Sequence, residues 1–245
     1  IDPSAIIINI AKGIENETLK IMSEVIFEVN GSISNYVTIS GPSHAEEVVS
    51  NMPTAVVAAS KNIETSKIVQ DLFSTNKFRV YTNEDLIGVE ICGSAKNVIA
   101  IAAGFCDGFG YGDNTKSALI TRGIKEVARL GLKSGAKFET FFGLAGIGDI
   151  IVTCGSIHSR NRKLGERIGR GMTLGNAVGK SHMVVEGVKS AFSIKRLSEK
   201  YEIEMPICDS VFKVLYENSD PVEEVNALMT RNLKSESFYL SSSSD

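Results

Sequence analysis

Signatures of metal binding and of disulfide bonding are missing from this chain. Its 4 cysteines, Cys92, Cys106, Cys154 and Cys208, lie far apart with no C-x-x-C pair, and none of its 3 histidines, His44, His158 and His182, is spaced as a metal ligand. These absences argue against structural zinc or a disulfide framework, and reduced thiols point to a cytoplasmic protein with no metal. Strong charge of either sign is also missing. The formal net charge is -3 and no Lys/Arg-rich block stands alone, so no nucleic acid partner is expected, although a local basic site for a small phosphate remains open. No apolar run reaches about 18 uninterrupted residues and no charged segment leads into a hydrophobic one at the start, so neither membrane insertion nor a secretory signal is expected. The chain also opens on Ile1 rather than methionine, and Asp2-Pro3-Ser4 runs straight into a strand-like segment, as an internal segment reads.

What is present suits an ordinary globular core: 43% of the 245 residues are hydrophobic. In the first third, β-branched runs at 6–10, Tyr36–Ser40, Thr54–Ala59 and Phe78–Tyr81 alternate with helical stretches at 16–29, 43–49 and 63–73. That alternation predicts a parallel sheet with crossover helices, with Ser43 capping the second helix. From Asn83 the pattern turns helical almost to the end, at 84–105, 115–132, 161–169, 173–178, 185–201 and 222–229. The expected fold class is therefore α/β plus all-α, with a sheet domain over residues 1–83, a helical domain over 84–240 and a disordered tail at 241–245. No internal repeat is visible.

Lys96 interrupts a long apolar helix, with Cys92, Gly93, Ile99, Ala100 and Ala103 as its helical neighbours. Two readings stand: a lysine that snorkels past small residues to water, or one lining a cleft, where desolvation lowers its pKa into a proton-exchanging range. Asn97 beside it can orient a substrate hydroxyl. The run Gly143-Leu-Ala-Gly-Ile-Gly-Asp149 has G-x-x-G-x-G spacing rather than the G-x-G-x-x-G of a nucleotide loop, and it follows a helical region. It is either a tight turn or a device that brings Asp149 and Thr153 close to a ligand. Ser159-Arg160-Asn161-Arg162-Lys163 opens a helix and suits either an anion or plain solvation. Lys12 sits at the carboxyl end of the first strand, where ligands of parallel sheets gather but solubilising lysines also occur. No Ser/His/Asp or Cys/His arrangement appears, so the histidines and cysteines are taken as structural or peripheral.

Eight phrases resemble, in order, the bacterial type of NAD(P)-dependent glycerol-3-phosphate dehydrogenase. They are Asn9-Ile-Ala-Lys-Gly-Ile-Glu15, Ile39-Ser-Gly-Pro-Ser-His-Ala45, Met52-Pro-Thr-Ala-Val56, Cys92-Gly-Ser-Ala-Lys-Asn97, Gly112-Asp-Asn-Thr-Lys116, Gly143-Leu-Ala-Gly-Ile-Gly-Asp149, Ser159-Arg-Asn-Arg162 and Val185-Glu-Gly187. The resemblance implies a Rossmann-like sheet domain and reversible reduction of dihydroxyacetone phosphate to sn-glycerol 3-phosphate, feeding phospholipid synthesis. It implies Lys96 as proton acceptor during alcohol oxidation. Lys12, Gly41, Ser43, Asp149, Ser159, Arg160 and Asn161 match substrate positions, with Thr153 near them. Lys12, Ala45, Arg160, Val184 and Glu186 match positions that contact NAD or NADP.

The family's glycine-rich fingerprint belongs to a first βαβ segment, on the order of 80 residues, that this chain is expected to lack. The sheet is accordingly read as truncated, the preference between NAD and NADP as unreadable, and the chain alone as inactive. A homodimer is the expected assembly. Two other readings compete: a non-catalytic fragment serving as a helical assembly module, and a related two-domain hydroxy-acid dehydrogenase.

Overall fold

The computed structural model describes residues 5–31, 35–180, 184–233 and 235–236. The opening Ile1 to Ser4, His182 and the tail at 241–245 lie outside the described residues. The chain forms β1 (Ile7–Asn9), α1 (Met22–Asn30), β2 (Tyr36–Ser40), α2 (Ala45–Val49), β3 (Thr54–Ala59), α3 (Ile63–Phe73) and β4 (Phe78–Asn83). Helices follow: α4 (Leu86–Gly108), α5 (Asp113–Lys133), α6 (Asp149–Gly155), α7 (Arg160–Gly169), α8 (Leu174–Gly179), α9 (Glu186–Lys200), α10 (Pro206–Tyr216) and α11 (Pro221–Met229). A 3₁₀ turn (Phe138–Phe142) and a π turn (Leu144–Gly148) link α5 to α6.

The sheet order is β1-β2-β3-β4. Its outer pairs are parallel, but β2 and β3 run antiparallel, which corrects the expectation of a wholly parallel sheet. The reason lies in the connection: between Ser40 and Thr54 only the five-residue α2 forms, and the chain turns back at the same end instead of crossing over. The eleven-residue α3 does make a crossover, and β4 lies parallel to β3. Side chains alternate across the strands as period two requires. Tyr36, Val57 and Ala59 pack on one face with Leu86 and Val89 of α4, while Val37, Val56, Ala58 and Val80 meet Val69 of α3 on the other.

Two local readings also change. The first helix starts at Met22 rather than Asn16, because the Glu15 carboxylate accepts from Thr18 N at 2.6 Å, Leu19 takes φ 61°, and Ile14 bridges Ile21. Ser43 does not cap α2. His44 holds the N-cap position without a side-chain bond, and the Ser43 hydroxyl instead donates to the Gly41 carbonyl at 3.1 Å.

Helix α4 is the axis of the molecule. Asp85 caps it by accepting from Gly88 N at 2.9 Å, and the same carboxylate accepts from Lys137 N and the Thr140 hydroxyl. Nearly every residue of α4 is buried, so its continuous apolar character reflects a core helix surrounded by α5, α6, α7 and α9. It is long and apolar enough to cross a membrane, but 94% of its apolar window is buried inside the fold. Truncating a side chain such as Ile99 in this core to alanine costs about 2–5 kcal/mol. Against α7 the backbones touch: a Cβ on Gly104 would stand 2.0 Å from the Arg162 carbonyl, and one on Gly165 2.0 Å from that of Ile101. Only glycine permits that approach, and it fixes the start of α7 beside the middle of α4.

Candidate active site

Where α4 passes the end of β1, Lys96 is 6% exposed. Its Nζ donates to Asp149 Oδ1 at 2.5 Å and to Thr153 Oγ1 at 3.0 Å, and Lys12 Nζ donates to Asp149 Oδ2 at 2.9 Å. One carboxylate thus holds two ammonium groups. The long-range contacts come from three elements: the loop after β1, the middle of α4 and the first turns of α6. Lys96 does not snorkel to water; of the two sequence readings, the buried one holds. The glycine run is likewise more than a tight turn. Gly146 takes φ -91° and ψ -106° within the π turn, and Asp149 emerges from it as the first residue of α6.

Burial lowers the Lys96 pKa, with Lys12 adding to the effect, and together they outweigh Asp149 and bring it to about 8. For Asp149, burial acts upward, but the charges of Lys12 and Lys96 and their hydrogen bonds win and hold the carboxyl below its usual value. With two cations on one anion, the cluster keeps a surplus positive charge in a desolvated place.

A second, amide-rich cluster adjoins it. Gly187 N donates to Asn161 Oδ1 at 2.9 Å, Asn161 Nδ2 to Asn97 Oδ1 at 2.8 Å, and Asn97 Nδ2 to Glu186 Oε2 at 3.4 Å. This chain ties α4, α7 and α9 together and orients Asn97 and Asn161 through each other. Ser159 caps α7 by accepting from Arg162 N at 3.2 Å. Arg160 lies exposed, donating to the Val184 carbonyl at 3.0 Å. Lys12, Lys96, Asp149 and Thr153 are therefore in direct contact, Asn97, Asn161 and Glu186 adjoin them, and Arg160 with Val184 forms an outer clasp. Gly41, at φ 142°, presses against β3, where a Cβ would stand 3.0 Å from Val56 Cα. Ser43 and Ala45 follow it on the exposed side of that turn.

His44 was passed over in the sequence, yet it stands close enough to Lys96 and Asp149 for both charges to act on its ring. The only signal in the sequence is its place between Ser43 and Ala45. A cavity of about 190 Å³ between α9, α10 and α11 contains none of these residues, and both lysines that line it are paired within it, Lys195 with Asp209 and Lys213 with Glu224. Among the described residues no group of acidic, histidine and cysteine side chains could hold a metal, and all 4 cysteines are free and buried.

The family descriptions "NAD-dependent glycerol-3-phosphate dehydrogenase N-terminus" and "C-terminus" match residues 1–66 and 85–226. A glycerol-3-phosphate dehydrogenase of NAD(P)+ type from Clostridium acetobutylicum is 55% identical over 234 residues, spanning 96% of this chain and 70% of the relative. The chain belongs to the NAD(P)-dependent glycerol-3-phosphate dehydrogenase family. The crystal structure of the glycerol-3-phosphate dehydrogenase from Coxiella burnetii superposes with a TM-score of 0.91 at 41% identity, covering 94% of this chain and 70% of that one. Another dehydrogenase of the family, from Clostridium botulinum, is 55% identical and is matched over 72% of its length. Membership in this dehydrogenase family disfavours both a helical assembly module and a hydroxy-acid dehydrogenase.

Proposed function

We infer that this protein interconverts sn-glycerol 3-phosphate and dihydroxyacetone phosphate by NAD(P)-dependent hydride transfer, supplying glycerophospholipid synthesis. The observation that carries the reading is the pair of lysines, Lys96 buried and Lys12 half-buried, sharing the buried Asp149 at the carboxyl end of β1, where α/β sheets collect their ligands. A lysine held near pKa 8 exchanges protons at neutral pH.

In the oxidising direction Lys96 Nζ, as the neutral amine, accepts the proton of the C2 hydroxyl. In the reducing direction the ammonium returns it to the oxygen as negative charge develops there. The surplus positive charge of Lys12 and Lys96 over Asp149 favours that oxyanion in a site with little water. Asp149 and Thr153 keep Nζ from rotating away, and Asn97 donates to a substrate hydroxyl with its remaining amide hydrogen. The phosphate takes no part in bond making, so Ser159, Arg160 and Asn161 at the start of α7, with Gly41 and Ser43 opposite, use it to position the reacting carbon.

The donor set beside this cluster fits a nicotinamide dinucleotide. Arg160 uses one donor of its guanidinium on Val184 and keeps others for a phosphate, with the Glu186 carboxylate nearby for a hydroxyl or amide. Lys12, Ala45, Arg160, Val184 and Glu186 would hold NAD or NADP, which when bound exchanges the hydride with C2.

The domain boundary in this reading falls near residue 84, just before the Asp85 cap of α4. The protein is placed in the cytoplasm, in keeping with its free cysteines, without nucleic acid or membrane insertion, and as a homodimer that a light-scattering mass would check. The decisive experiment is Lys96→Ala in the full-length protein. It should lower kcat by about 10²- to 10⁴-fold. The melting temperature should barely change, because Asp149 keeps Lys12 as partner. A near-normal kcat would overturn the role of Lys96.

A further inference from the structure

Among the described residues, His44 Nε2 is a buried ring nitrogen with no hydrogen-bond partner. An unpaired polar atom in such a place is costly, and sites that bind polar ligands are where that cost is recovered. Three placements say which ligand group would recover it. His44 follows Ser43 in the turn from β2, on the sheet side of the cleft. Its ring centroid lies 6.0 Å from that of His158, which immediately precedes Ser159 and Arg160 at the start of α7. Among charged groups, Lys96 of α4 and Asp149 of α6 act on it from within, and Glu46 and Glu47 from its own helix. Glu46 in turn sits under the influence of His158, His44 and Arg160. His44 thus spans the gap between the proton-transfer lysine and the start of α7.

Resting on the function proposed above, we propose that His44 is a substrate-contacting residue whose Nε2–H donates to the phosphate monoester of the three-carbon substrate. It faces Arg160 and Ser159 across that phosphate and makes the sheet-side turn a specificity determinant for phosphorylated over free triose. Burial and the Lys96 charge lower the basicity of the imidazole, and the contact is one directional hydrogen bond from its ring N–H.

The test uses His44→Phe, which keeps ring volume without ring nitrogen, and His44→Gln, whose amide can place a donor near the same point, both in the full-length protein. His44→Phe should raise KM for dihydroxyacetone phosphate about tenfold with kcat within about twofold, the size of one charge-assisted hydrogen bond. The inhibition constant of inorganic phosphate should rise by a similar factor, turnover of phosphate-free dihydroxyacetone should not change, and His44→Gln should restore most of the affinity. Unchanged KM and phosphate inhibition in a folded His44→Phe would overturn the contact. Equal losses toward free and phosphorylated triose, or a loss confined to kcat, would overturn it by assigning His44 to the orientation of Lys96. Absence of activity in the unmodified protein would instead defeat the proposed function, whereas inorganic phosphate binding measured by calorimetry would still decide on His44.

Discussion

Asp149 and Glu126 are each 2% exposed, and their surroundings push their carboxyls in opposite directions. Asp149 meets two ammonium groups and is held ionised below its usual pKa. Glu126, reaching from α5 to the start of α10, shares its carboxylate with no ammonium group in direct contact and accepts mainly from backbone, from Ile207 N at 2.9 Å and Cys208 N at 3.2 Å, with Arg129 acting only at a distance. Burial raises it to about 7, more than those hydrogen bonds can offset. The difference teaches what each region is for. Glu126 is a cap borrowed from another helix, and its acidity is a by-product of packing. Around Asp149 a buried and a half-buried lysine share one carboxylate, an arrangement that suits the proton transfer proposed above better than it suits stability alone.

The sharpest way to break this contrast is Asp149→Asn, which leaves Lys96 and Lys12 facing each other without their anion. Removing one partner of a buried pair costs about 3–5 kcal/mol. The Lys96 pKa, already depressed to about 8, should fall further, so the loss of stability relative to the parent should grow as pH drops below about 8 toward the variant's lower folded value. In glycerol 3-phosphate oxidation the rising limb of the pH–rate profile should move to lower pH, because the neutral amine forms earlier. Equal stability of the variant and its parent across that range would show that the lysines do not need the carboxylate.

Glu126→Gln probes the other side. The folded pKa of Glu126 is raised above its unfolded value, so its contribution to stability is full below about pH 4.5 and is lost as pH climbs toward 7. That span corresponds to about 3 kcal/mol. Chemical denaturation of both proteins at a series of pH values isolates it from other carboxyls such as Glu90, which burial also raises. The gap between variant and parent should shift in favour of the variant through that window, while kcat should stay within about twofold. A pH-independent gap would show that Glu126 is ionised without penalty.

How much of this was legible from residue order divides along the same line. The strands Tyr36–Ser40 and Thr54–Ala59 and the helix Ile63–Phe73 follow from local periodicity and were found to the residue. So was the oddity of Lys96 in an apolar helix, since a charge among small apolar neighbours is visible in sequence. Helix α10 was not anticipated: its N-cap residue Met205 provides no side-chain bond, and the group that does lies 81 residues earlier. The antiparallel β2–β3 pair escaped because strand direction depends on where a connection travels, which composition does not encode. The pairing of Lys12 with Asp149 escaped for the same reason, the contact spanning 137 residues.

The smallest expected effect separates the two oxygens that Lys96 contacts. Thr153 Oγ1 donates to the Asp149 carbonyl at 2.6 Å within α6, so its lone pair is available to accept from Lys96 Nζ at 3.0 Å. Thr153→Val keeps the shape and removes that acceptor together with the hydroxyl's own bond to the Asp149 carbonyl. Losing it should cost about 0.5–1.5 kcal/mol of stability. Because the hydroxyl favours the ammonium form, its loss should lower the Lys96 pKa, moving the rising limb of the oxidation profile to lower pH by less than about one unit. The direction matches Asp149→Asn and the size should be clearly smaller, since a neutral dipole replaces no charge. A shift as large as that of Asp149→Asn, or one toward higher pH, would mean that the hydroxyl rather than the carboxylate sets the basicity of Lys96, and the contrast between the two buried carboxyls would lose its functional half.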